Sequence, residues 1–213
     1  MAVKKGAAPA PSKGRGAAAQ LQGLRADSKG CRACPLWEHA TQTVFGEGNA
    51  HARVMVVGEQ PGDVEDRQGH PFVGPAGRIL DEGLRQAGID RRATYVTNAV
   101  KHFKWEPRGK RRLHKTPAQR EIEACRQWLE GEIAAIQPAL IVALGATAAK
   151  ALLGAGFRIT QSRGTVQRRE GLPDVIATFH PSYLLRLKGR PGEKEAWDQF
   201  LADLKAAARY VQD

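Results

Sequence analysis

The chain has 213 residues and a formal net charge of +11. It contains no apolar run of the roughly 18 to 20 residues that a membrane-spanning helix needs, and its start lacks the apolar stretch of a secretory signal. Its three cysteines cannot form a disulfide framework, which leaves metal binding or free thiols. We therefore expect a cytoplasmic, monomeric protein with one domain and no membrane partner.

The positive charge is concentrated in two segments. Residues 1–25 carry five Lys and Arg and no acidic residue, and residues 101–115 carry seven Lys and Arg against one Glu. Together these segments account for the whole excess. Local positive charge of this kind attracts a nucleic-acid backbone. A solvated basic surface that only maintains solubility would show the same pattern, so both interpretations stay open.

The first predicted element is a low-complexity tail. Residues 1–26 are rich in Ala, Gly, Pro and Lys and lack the apolar content that would offset the entropy lost on ordering. We predict a disordered basic tail at 1–26 and one folded domain at 27–213.

Four apolar, β-branched runs then predict strands. They cover residues 53–57 (RVMVV), 95–100 (YVTNAV), 139–144 (ALIVAL) and 174–179 (DVIATF). None alternates cleanly between apolar and polar residues, as expected for strands buried on both faces. Because helical patterns lie between them, the predicted fold class is α/β, with three α/β/α layers and a central four-stranded, mostly parallel sheet.

Two helices are predicted with defined ends. Thr116 and Pro117 have the pattern of a capping box with Pro at the first helical position, and an apolar face follows until Pro138 ends the helix. The second helix, near the C-terminus, has an apolar stripe from Trp197 to Ala208. Both apolar faces are expected to pack into the core.

Each predicted strand ends in a polar or glycine-rich segment. These segments are GEQPG, NAVKH, GATA and HPS, in chain order. Ligands of open parallel sheets bind just beyond the carboxyl ends of the strands. We therefore expect the four segments to form one site.

The cysteines are the candidate metal ligands. Cys31 and Cys34 form a Cys-x-x-Cys pair, Cys125 follows, and His102 is the nearest candidate for a fourth ligand. Three thiolates and one imidazole suit a structural zinc site, and composition does not distinguish zinc from an iron–sulfur cluster. Inert buried thiols are the alternative.

Five motifs resemble those of one enzyme family. They are CRACPL at 31–36, VGEQPG at 57–62, PFVGPAG at 71–77, NAVK at 98–101 and HPS at 180–182. In this order, between Gly30 and Asp213, they resemble the iron–sulfur uracil-DNA glycosylases of the family 4 type. The resemblance implies a catalytic domain that removes uracil from DNA, single-stranded and also double-stranded. It further implies a [4Fe–4S] cluster on Cys31, Cys34, Cys125 and His102.

Two details resemble the UdgX subgroup of that family. One is the basic segment KRRLH at 110–114, and the other is His102, where the hydrolytic relatives carry a cysteine. The resemblance implies that this protein becomes covalently attached to DNA through His114, whose neutral imidazole attacks the sugar. A histidine that contacts phosphate in a basic loop is the alternative for His114. Lys110 and Arg111 are expected to contact the DNA backbone.

The same resemblance gives roles in base recognition and bond cleavage. Phe72 would stack on the flipped base, and Asn98 would accept from uracil N3–H and donate to O4. Core packing for Phe72 and turn formation for Asn98 are the alternatives. His180 would stabilise the departing uracil anion, and Glu59 the positive charge on the sugar. The full predicted set of substrate-binding residues is Gln60, Gly62, Asp63, Phe72, Asn98, Ser182 and Arg112.

Several alternatives remain at this stage. Arg111 and Arg112 could hold phosphates or position the loop. Gln60, Asp63 and Asp66 could line the pocket or order its loops, and Glu59, Asp63 and Asp66 could instead bind a catalytic metal. At the level of function, a hydrolytic glycosylase with multiple turnovers is the first alternative. A non-catalytic nucleic-acid-binding module is the second.

Overall fold

The computed structural model describes residues 16–212, which contain eight strands and eight α-helices. The strands are β1 (Glu47–Gly48), β2 (Val54–Gly58), β3 (Tyr95–Asn98), β4 (Trp105–Arg108), β5 (Arg111–His114), β6 (Leu140–Leu144), β7 (Val166–Gln167) and β8 (Asp174–Thr178). The helices are α1 (Ala17–Ser28), α2 (Asp63–Gln68), α3 (Pro75–Ala87), α4 (Gln119–Ile136), α5 (Gly145–Leu153), α6 (Ile159–Ser162), α7 (Pro181–Leu187) and α8 (Glu193–Gln212). Short 3-10 turns lie at Pro35–Glu38 and Arg91–Ala93.

The predicted parallel sheet is confirmed and has two additional edge strands. Its order is β1-β3-β2-β6-β8-β7. The central four strands, which are the four predicted ones, run parallel to one another. The two-residue strands β1 and β7 pair antiparallel at the edges. Such short edge strands leave little unpaired backbone for another chain to extend.

The strands are apolar throughout because both faces of the sheet are covered. In β2, Met55 and Val57 belong to one buried cluster, whereas Val54 and Val56 belong to the other. Helices α1, α4 and α5 contribute to the first cluster, and α3, α7 and α8 to the second. The result is the predicted three-layer α/β/α arrangement, in which alternate residues of one strand pack against opposite helical layers.

The structure corrects the predicted limit of the tail. Residues 17–26, predicted as disordered, belong to α1, because Leu21 is buried in the core and Leu24 packs over Gly131 of α4. Arg25 fixes the end of the helix through hydrogen bonds to the Gly46 carbonyl oxygen (2.7 Å) and Glu47 (3.0 Å). The rest of the predicted tail, residues 1–15, lies outside the described residues.

The predicted helix ends agree only in part with the structure. Thr116 is not the cap of α4: the helix begins at Gln119, and the backbone N–H of Ala118 donates to Glu121 Oε2 at 2.6 Å. The end before Pro138 is confirmed, and the apolar stripe of α8 is buried at Phe200 and Leu204. No helix in the described part of the chain is long and apolar enough to cross a membrane.

The predicted basic loop is a β-hairpin. Strands β4 and β5 pair antiparallel in a sheet of their own, with Trp105 opposite His114 and Arg108 opposite Arg111. Gly109 turns the chain in the left-handed region at φ 58°, which glycine adopts without steric cost. The hairpin places His114 at its C-terminal base, beside the carboxyl ends of the parallel strands.

Candidate active site

The polar segments after the parallel strands meet at one edge of the sheet, as predicted. The backbone N–H groups of Ala99 and Val100 donate to the carbonyl oxygens of Gly58 (2.8 Å) and Glu59 (3.0 Å) and join the first two segments. Together with the hairpin and α7 they enclose a cavity of about 340 Å³. Seven of the predicted residues line it: Gln60, Gly62, Phe72, Asn98, His114, His180 and Ser182.

Asn98 lies at the end of β3 with an unused acceptor. Its Oδ1 is the one buried side-chain oxygen or nitrogen in the described residues without a hydrogen-bond partner. A buried polar atom without a partner costs free energy, so this position favours a ligand that brings an N–H donor. Gly58 makes the arrangement sterically possible, because a Cβ there would overlap both Asn98 Oδ1 and the Phe72 ring.

Phe72 forms another wall of the cavity. Its backbone is in the left-handed region (φ 58°), which non-glycine residues rarely adopt. Gly77 allows the conformation, because a Cβ at that position would collide with the Phe72 carbonyl oxygen. The ring belongs to the core cluster and also stacks on His180, with centroids 6.4 Å apart. Phe72 therefore packs in the core, as its alternative interpretation held, and also lines the cavity, whereas its stacking on a flipped base stays a prediction.

His180 caps the N-terminus of α7 with a defined tautomer. Its Nδ1 accepts from the backbone N–H of Ser182 at 3.1 Å, so Nδ1 carries no proton and Nε2–H is the donor of the neutral ring. Burial above all lowers the pKa of His180 to about 4, and His114 when protonated, and then Arg186, act in the same direction. At neutral pH the ring is therefore an uncharged hydrogen-bond donor in the cavity wall.

His114 and Glu59 face each other at the cavity mouth. His114 Nε2 lies 3.5 Å from Glu59 Oε1, and the Thr147 hydroxyl donates to the other carboxylate oxygen of Glu59. Burial lowers the pKa of His114 below its ordinary value; the Glu59 carboxylate opposes this shift, and Arg186 adds to it. A second cavity of about 520 Å³ adjoins both His114 and Glu59. The pair thus combines a neutral imidazole with a carboxylate that solvent can reach.

Gln60 holds the base of the hairpin. Its Nε2 donates to the carbonyl oxygens of Lys104 (3.2 Å) and Lys115 (3.0 Å), and its Oε1 accepts from the Lys104 N–H (3.0 Å). The two lysines flank β4 and β5. Since the amide is already occupied on both sides, the structure favours the loop-ordering interpretation of Gln60 over direct contact with substrate.

Arg112 holds the hairpin against α2. Its guanidinium pairs with Asp63 and, at 2.6 Å, with Asp66, whose carboxylate also accepts from the Thr41 hydroxyl. Arg67 and Arg112 outweigh the effect of burial and lower the pKa of Asp63. Neither Arg112 nor Asp63 lines the cavity. Their predicted role in binding substrate is therefore not matched by their position, which instead agrees with the loop-positioning alternative.

The basic segment presents fewer free cations than its sequence suggests. Lys101 is fully buried and pairs with Glu132, which is buried as well. Lys104 pairs with Glu121 at 2.9 Å, and Arg112 is engaged as described. The exposed cations of the hairpin tip are Arg108, Lys110 and Arg111. The last two are those predicted to contact the DNA backbone.

The cysteines gather beside α4. Burial above all, and more weakly the neighbouring Cys31 and Cys34, raise the pKa of the Cys125 thiol to about 12. Cys125 Sγ accepts from the Lys101 N–H, and Cys31 Sγ from Trp128 Nε1, each at 3.2 Å. No group of three or more His, Cys, Asp or Glu among residues 16–212 is arranged to hold a single metal ion.

His102 has a ring nitrogen suited to a metal. The Thr43 hydroxyl donates its one proton to the Ser28 carbonyl oxygen (2.9 Å), so it can only accept from His102 Nε2 (3.0 Å). Nε2 is then protonated, and the lone pair lies on Nδ1. A metal-ligating histidine usually donates its other N–H in this way. The donor set of three sulfurs and Nδ1 is therefore chemically suited to an iron–sulfur cluster.

Sequence analysis missed Glu65 and Arg186, and it included Thr147 only as part of the GATA segment. Glu65 is buried in the cavity wall and accepts from the Gly74 N–H at 2.8 Å, which fixes the loop that follows Phe72. Arg186 borders both cavities, and Thr147 orients Glu59. A position four residues after Ser182 on the same helix face was a usable signal for Arg186. No local pattern marked Glu65.

Known proteins resemble this chain over most of its length. A family model described as "Uracil DNA glycosylase superfamily" matches residues 45–205. The type-4 uracil-DNA glycosylase of Thermotoga maritima is 46% identical over 159 residues, which cover 74% of this chain and 79% of the relative. The type-4 enzyme of Pyrobaculum aerophilum is 38% identical over 180 residues, which cover 81% of this chain and 88% of the relative. The type-4 enzyme of Sulfurisphaera tokodaii is 35% identical over 173 residues, which cover 78% of this chain and 76% of the relative.

Proposed function

Because the chain belongs to the uracil-DNA glycosylase superfamily, we propose that it excises uracil from DNA and is then bonded to the sugar through His114. The observation on which the proposal depends most is the position of His114, a neutral imidazole 3.5 Å from Glu59 at the mouth of the cavity. A nucleophile at this place competes directly with water.

Asn98 supports uracil as the base. Uracil is stacked and paired in DNA, so it must rotate out or be met in a single strand. In the cavity, its N3–H would donate to the unpaired Oδ1 of Asn98, and its O4 would accept from the Nδ2. Cytosine has the opposite pattern at these two positions. Phe72 supplies a surface on which the flipped ring stacks.

His180 and Glu59 support cleavage of the glycosidic bond. When the C1′–N1 bond breaks, its electron pair leaves with uracil and positive charge develops on the sugar. Nε2–H of the uncharged His180 would donate to uracil O2 and stabilise the anion. The carboxylate of Glu59, held in place by Thr147, would stabilise the sugar cation.

His114 then closes the reaction in the proposed scheme. A lone pair of its imidazole forms the new bond to C1′, and the imidazolium that results is stabilised by Glu59, which can take its proton. The protein is consumed in one turnover. Arg112 and Gln60 support this step indirectly, because they hold the hairpin on which His114 lies.

A hydrolytic reaction is the second candidate. The cavity of about 520 Å³ beside Glu59 and His114 would admit water to the same face of the sugar. If water attacks first, Glu59 accepts its proton and the protein is released. The two candidates differ only in which nucleophile reaches C1′, and the products distinguish them.

We also propose a [4Fe–4S] cluster on Cys31, Cys34, Cys125 and His102. Three features support the cluster: the three thiols, the N–H donors that already face two of these sulfurs, and the free lone pair on His102 Nδ1. When bound, the group would cross-link α4 to the Cys-x-x-Cys turn. Iron and sulfide assays test this proposal, with an expected loss of both in Cys34→Ser and partial retention in His102→Cys. Zinc without iron in the purified protein would refute it.

The remaining proposals concern the context of the reaction. We propose that residues 17–213 form the catalytic domain and that the protein is a monomer that acts in the cytoplasm. Its partner would be uracil-containing DNA, single-stranded and also double-stranded. Gel filtration and fractionation test the first points. Reaction rates on one uracil oligonucleotide, alone and annealed to its complement, test the strand type.

The decisive experiment mixes the protein with an end-labelled uracil oligonucleotide and its thymine counterpart, followed by heating in detergent and a denaturing gel. A uracil-dependent, heat-stable shifted band is expected. His114→Ala should abolish the band, and free abasic DNA should appear instead, whereas the control His51→Ala, an exposed histidine after β1, should behave like the wild type. A band that survives in His114→Ala would refute His114 as the nucleophile. Free abasic DNA from the wild type, in excess over protein, would establish the hydrolytic candidate. If no reaction occurs at all, the protein is instead a non-catalytic nucleic-acid-binding module.

A further inference from the structure

We propose that Lys101 is a positioning residue for base recognition: its buried ammonium group holds the main chain of Asn98 and so aims the Asn98 side chain into the base cavity. The inference deepens the proposed function and rests on it, because it takes Asn98 as the residue that reads uracil. It gives a part in the reaction to a lysine that lines neither cavity of the active site and is too buried to reach the DNA backbone.

All three donors of the Lys101 ammonium group are used inside the protein. Nζ donates to Glu132 Oε2 at 2.5 Å, to the Thr97 hydroxyl at 2.6 Å and to the Asn98 carbonyl oxygen at 2.8 Å. An ammonium group has three N–H donors and no acceptor, and this side chain is 1% exposed. Two of its three bonds therefore fix the end of β3, the strand on which Asn98 is the last residue.

The Asn98 side chain needs support from its own main chain. Its Oδ1 has no hydrogen-bond partner, and this atom must stay free if it is to accept from uracil N3–H. An atom reserved for the ligand cannot also anchor its side chain, so the direction of Oδ1 depends on the backbone at Asn98. That backbone is held by its pairing with Gly58 in the sheet and, at the carbonyl oxygen, by Lys101. A recognition group is precise only when neighbours lock it in this way.

Lys101 is itself held by two other parts of the chain. Its backbone N–H donates to Cys125 Sγ on α4 at 3.2 Å, and its carbonyl oxygen accepts from the Val44 N–H at 2.8 Å. Its ion-pair partner Glu132 also lies on α4 and is fully buried. Through Lys101, the position of Asn98 is therefore tied to α4, a helix that contributes no residue to the base cavity.

Stability alone gives little reason for a charge at this place. The desolvation of a buried ion pair offsets much of its Coulomb energy, and well-packed apolar residues of similar volume are often as stable. What Lys101 adds is a hydrogen-bond donor of fixed position beside the Asn98 carbonyl oxygen. Methionine has a similar length and no such donor, so Lys101→Met removes this contact specifically.

A double-mutant cycle tests whether Lys101 acts through Asn98. The measured quantity is the single-turnover rate of uracil release from a single-stranded uracil oligonucleotide with protein in excess, which counts capture and hydrolysis alike. Lys101→Met should lower this rate at least about ten-fold when Asn98 is present and less than about two-fold in the Asn98→Ala background. A purely structural lysine would slow both backgrounds by the same factor. Lys104→Met is the matched control, because it breaks the pair with the buried Glu121 and should have the same effect in both backgrounds.

A second variant decides the case in which Lys101→Met does not fold. Lys101→Met combined with Glu132→Gln leaves no unpaired charge, and the glutamine still offers an oxygen to the Gly46 N–H, which donates to Glu132 at 2.9 Å. We expect this double variant to fold and to release uracil at least about ten-fold more slowly than the wild type. The difference should again disappear in the Asn98→Ala background.

Each result decides the inference. Equal factors in the two backgrounds, or a wild-type rate in either Lys101 variant, overturn it and leave the proposed excision intact. A double variant that does not fold also overturns it, because Lys101 would then serve the fold. An Asn98→Ala variant with the wild-type rate removes the base reader and the inference with it. A wild type that releases no uracil at all instead refutes the proposed function.

Discussion

Replacing Arg112 by alanine should separate capture from excision. The side chain is 12% exposed and pairs with Asp63 and with Asp66, which is fully buried. Removing one partner of a buried ion pair costs about 3–5 kcal/mol. Thr41 continues to donate to Asp66, and Asp63 is exposed to solvent, so we expect a cost of about 2–3 kcal/mol.

This cost falls mainly on the docking of the hairpin, because Arg112 joins β5 to α2 and the hairpin has no strand pairing with the main sheet. A cost of that size lowers the docked fraction by about 30- to 150-fold where docking is marginal. The adduct rate should therefore fall at least about ten-fold. Asn98, His180 and Glu59 are on other loops, so excision should continue, and water should replace His114 at C1′.

The assay uses protein in excess over end-labelled uracil oligonucleotide, and the sample taken at each time point is split into two halves. One half is heated in detergent to count adduct, and the other is treated with alkali to count free abasic sites. Arg111→Ala, on the outer face of the same strand, is the matched control and should keep the wild-type product ratio. Two results would refute the view that the hairpin docks independently of the loops of the main sheet. One is an Arg112→Ala variant that forms adduct at the wild-type rate, and the other is an equal loss of adduct formation and total excision.

Three further predictions concern recognition, pH and stability. Asn98→Asp presents only acceptors to uracil O4 and should slow single-turnover uracil excision by about 100-fold or more. Burial and Arg186 lower the pKa of His114 below 6.5, so the imidazole is neutral above that pH and the rate of adduct formation should decline only in more acidic buffer. Arg186→Gln should raise the pH at which this rate is half-maximal. A half-maximal pH above 6.5 for the wild type would contradict the prediction. Lys101→Met leaves the buried Glu132 carboxylate without its cation, although Gly46, Tyr95 and Thr97 still donate to it. The free energy of unfolding from denaturant titration should therefore fall by about 3 kcal/mol, the lower end of the range for a broken buried ion pair.

The main sheet was predictable from sequence because its physical cause is local. Runs such as 140–144 are apolar at every position, since both faces of each central strand are covered. Their carboxyl ends then meet by topology alone, so the sequence suffices to assign Asn98 and His180 to one site.

Features that depend on distant partners could not be predicted. Residues 17–26 have little apolar content, and α1 is ordered through its packing on α4 and through Arg25, which reaches Gly46. Lys101 and Arg112 looked like free cations because their acidic partners, Glu132 and Asp66, are 31 and 46 residues away. Sequence charge counts cannot distinguish such paired cations from those that are available to DNA.

The distribution of the site over two sheets would allow one fold to support either of the two proposed outcomes, capture or turnover. Asn98, Glu59 and His180 follow strands of the main sheet, whose backbone bonds fix their positions. His114 belongs to a separate hairpin that polar side chains hold in place. The groups proposed to break the glycosidic bond therefore lie on different loops from His114, the group proposed to capture the sugar, and Gln60 is one of the side chains that join the two parts. In the proposed scheme, a loss of about 1.4 kcal/mol in hairpin docking would change the competition between His114 and water about ten-fold, so small changes at this contact would shift the reaction from capture towards hydrolysis.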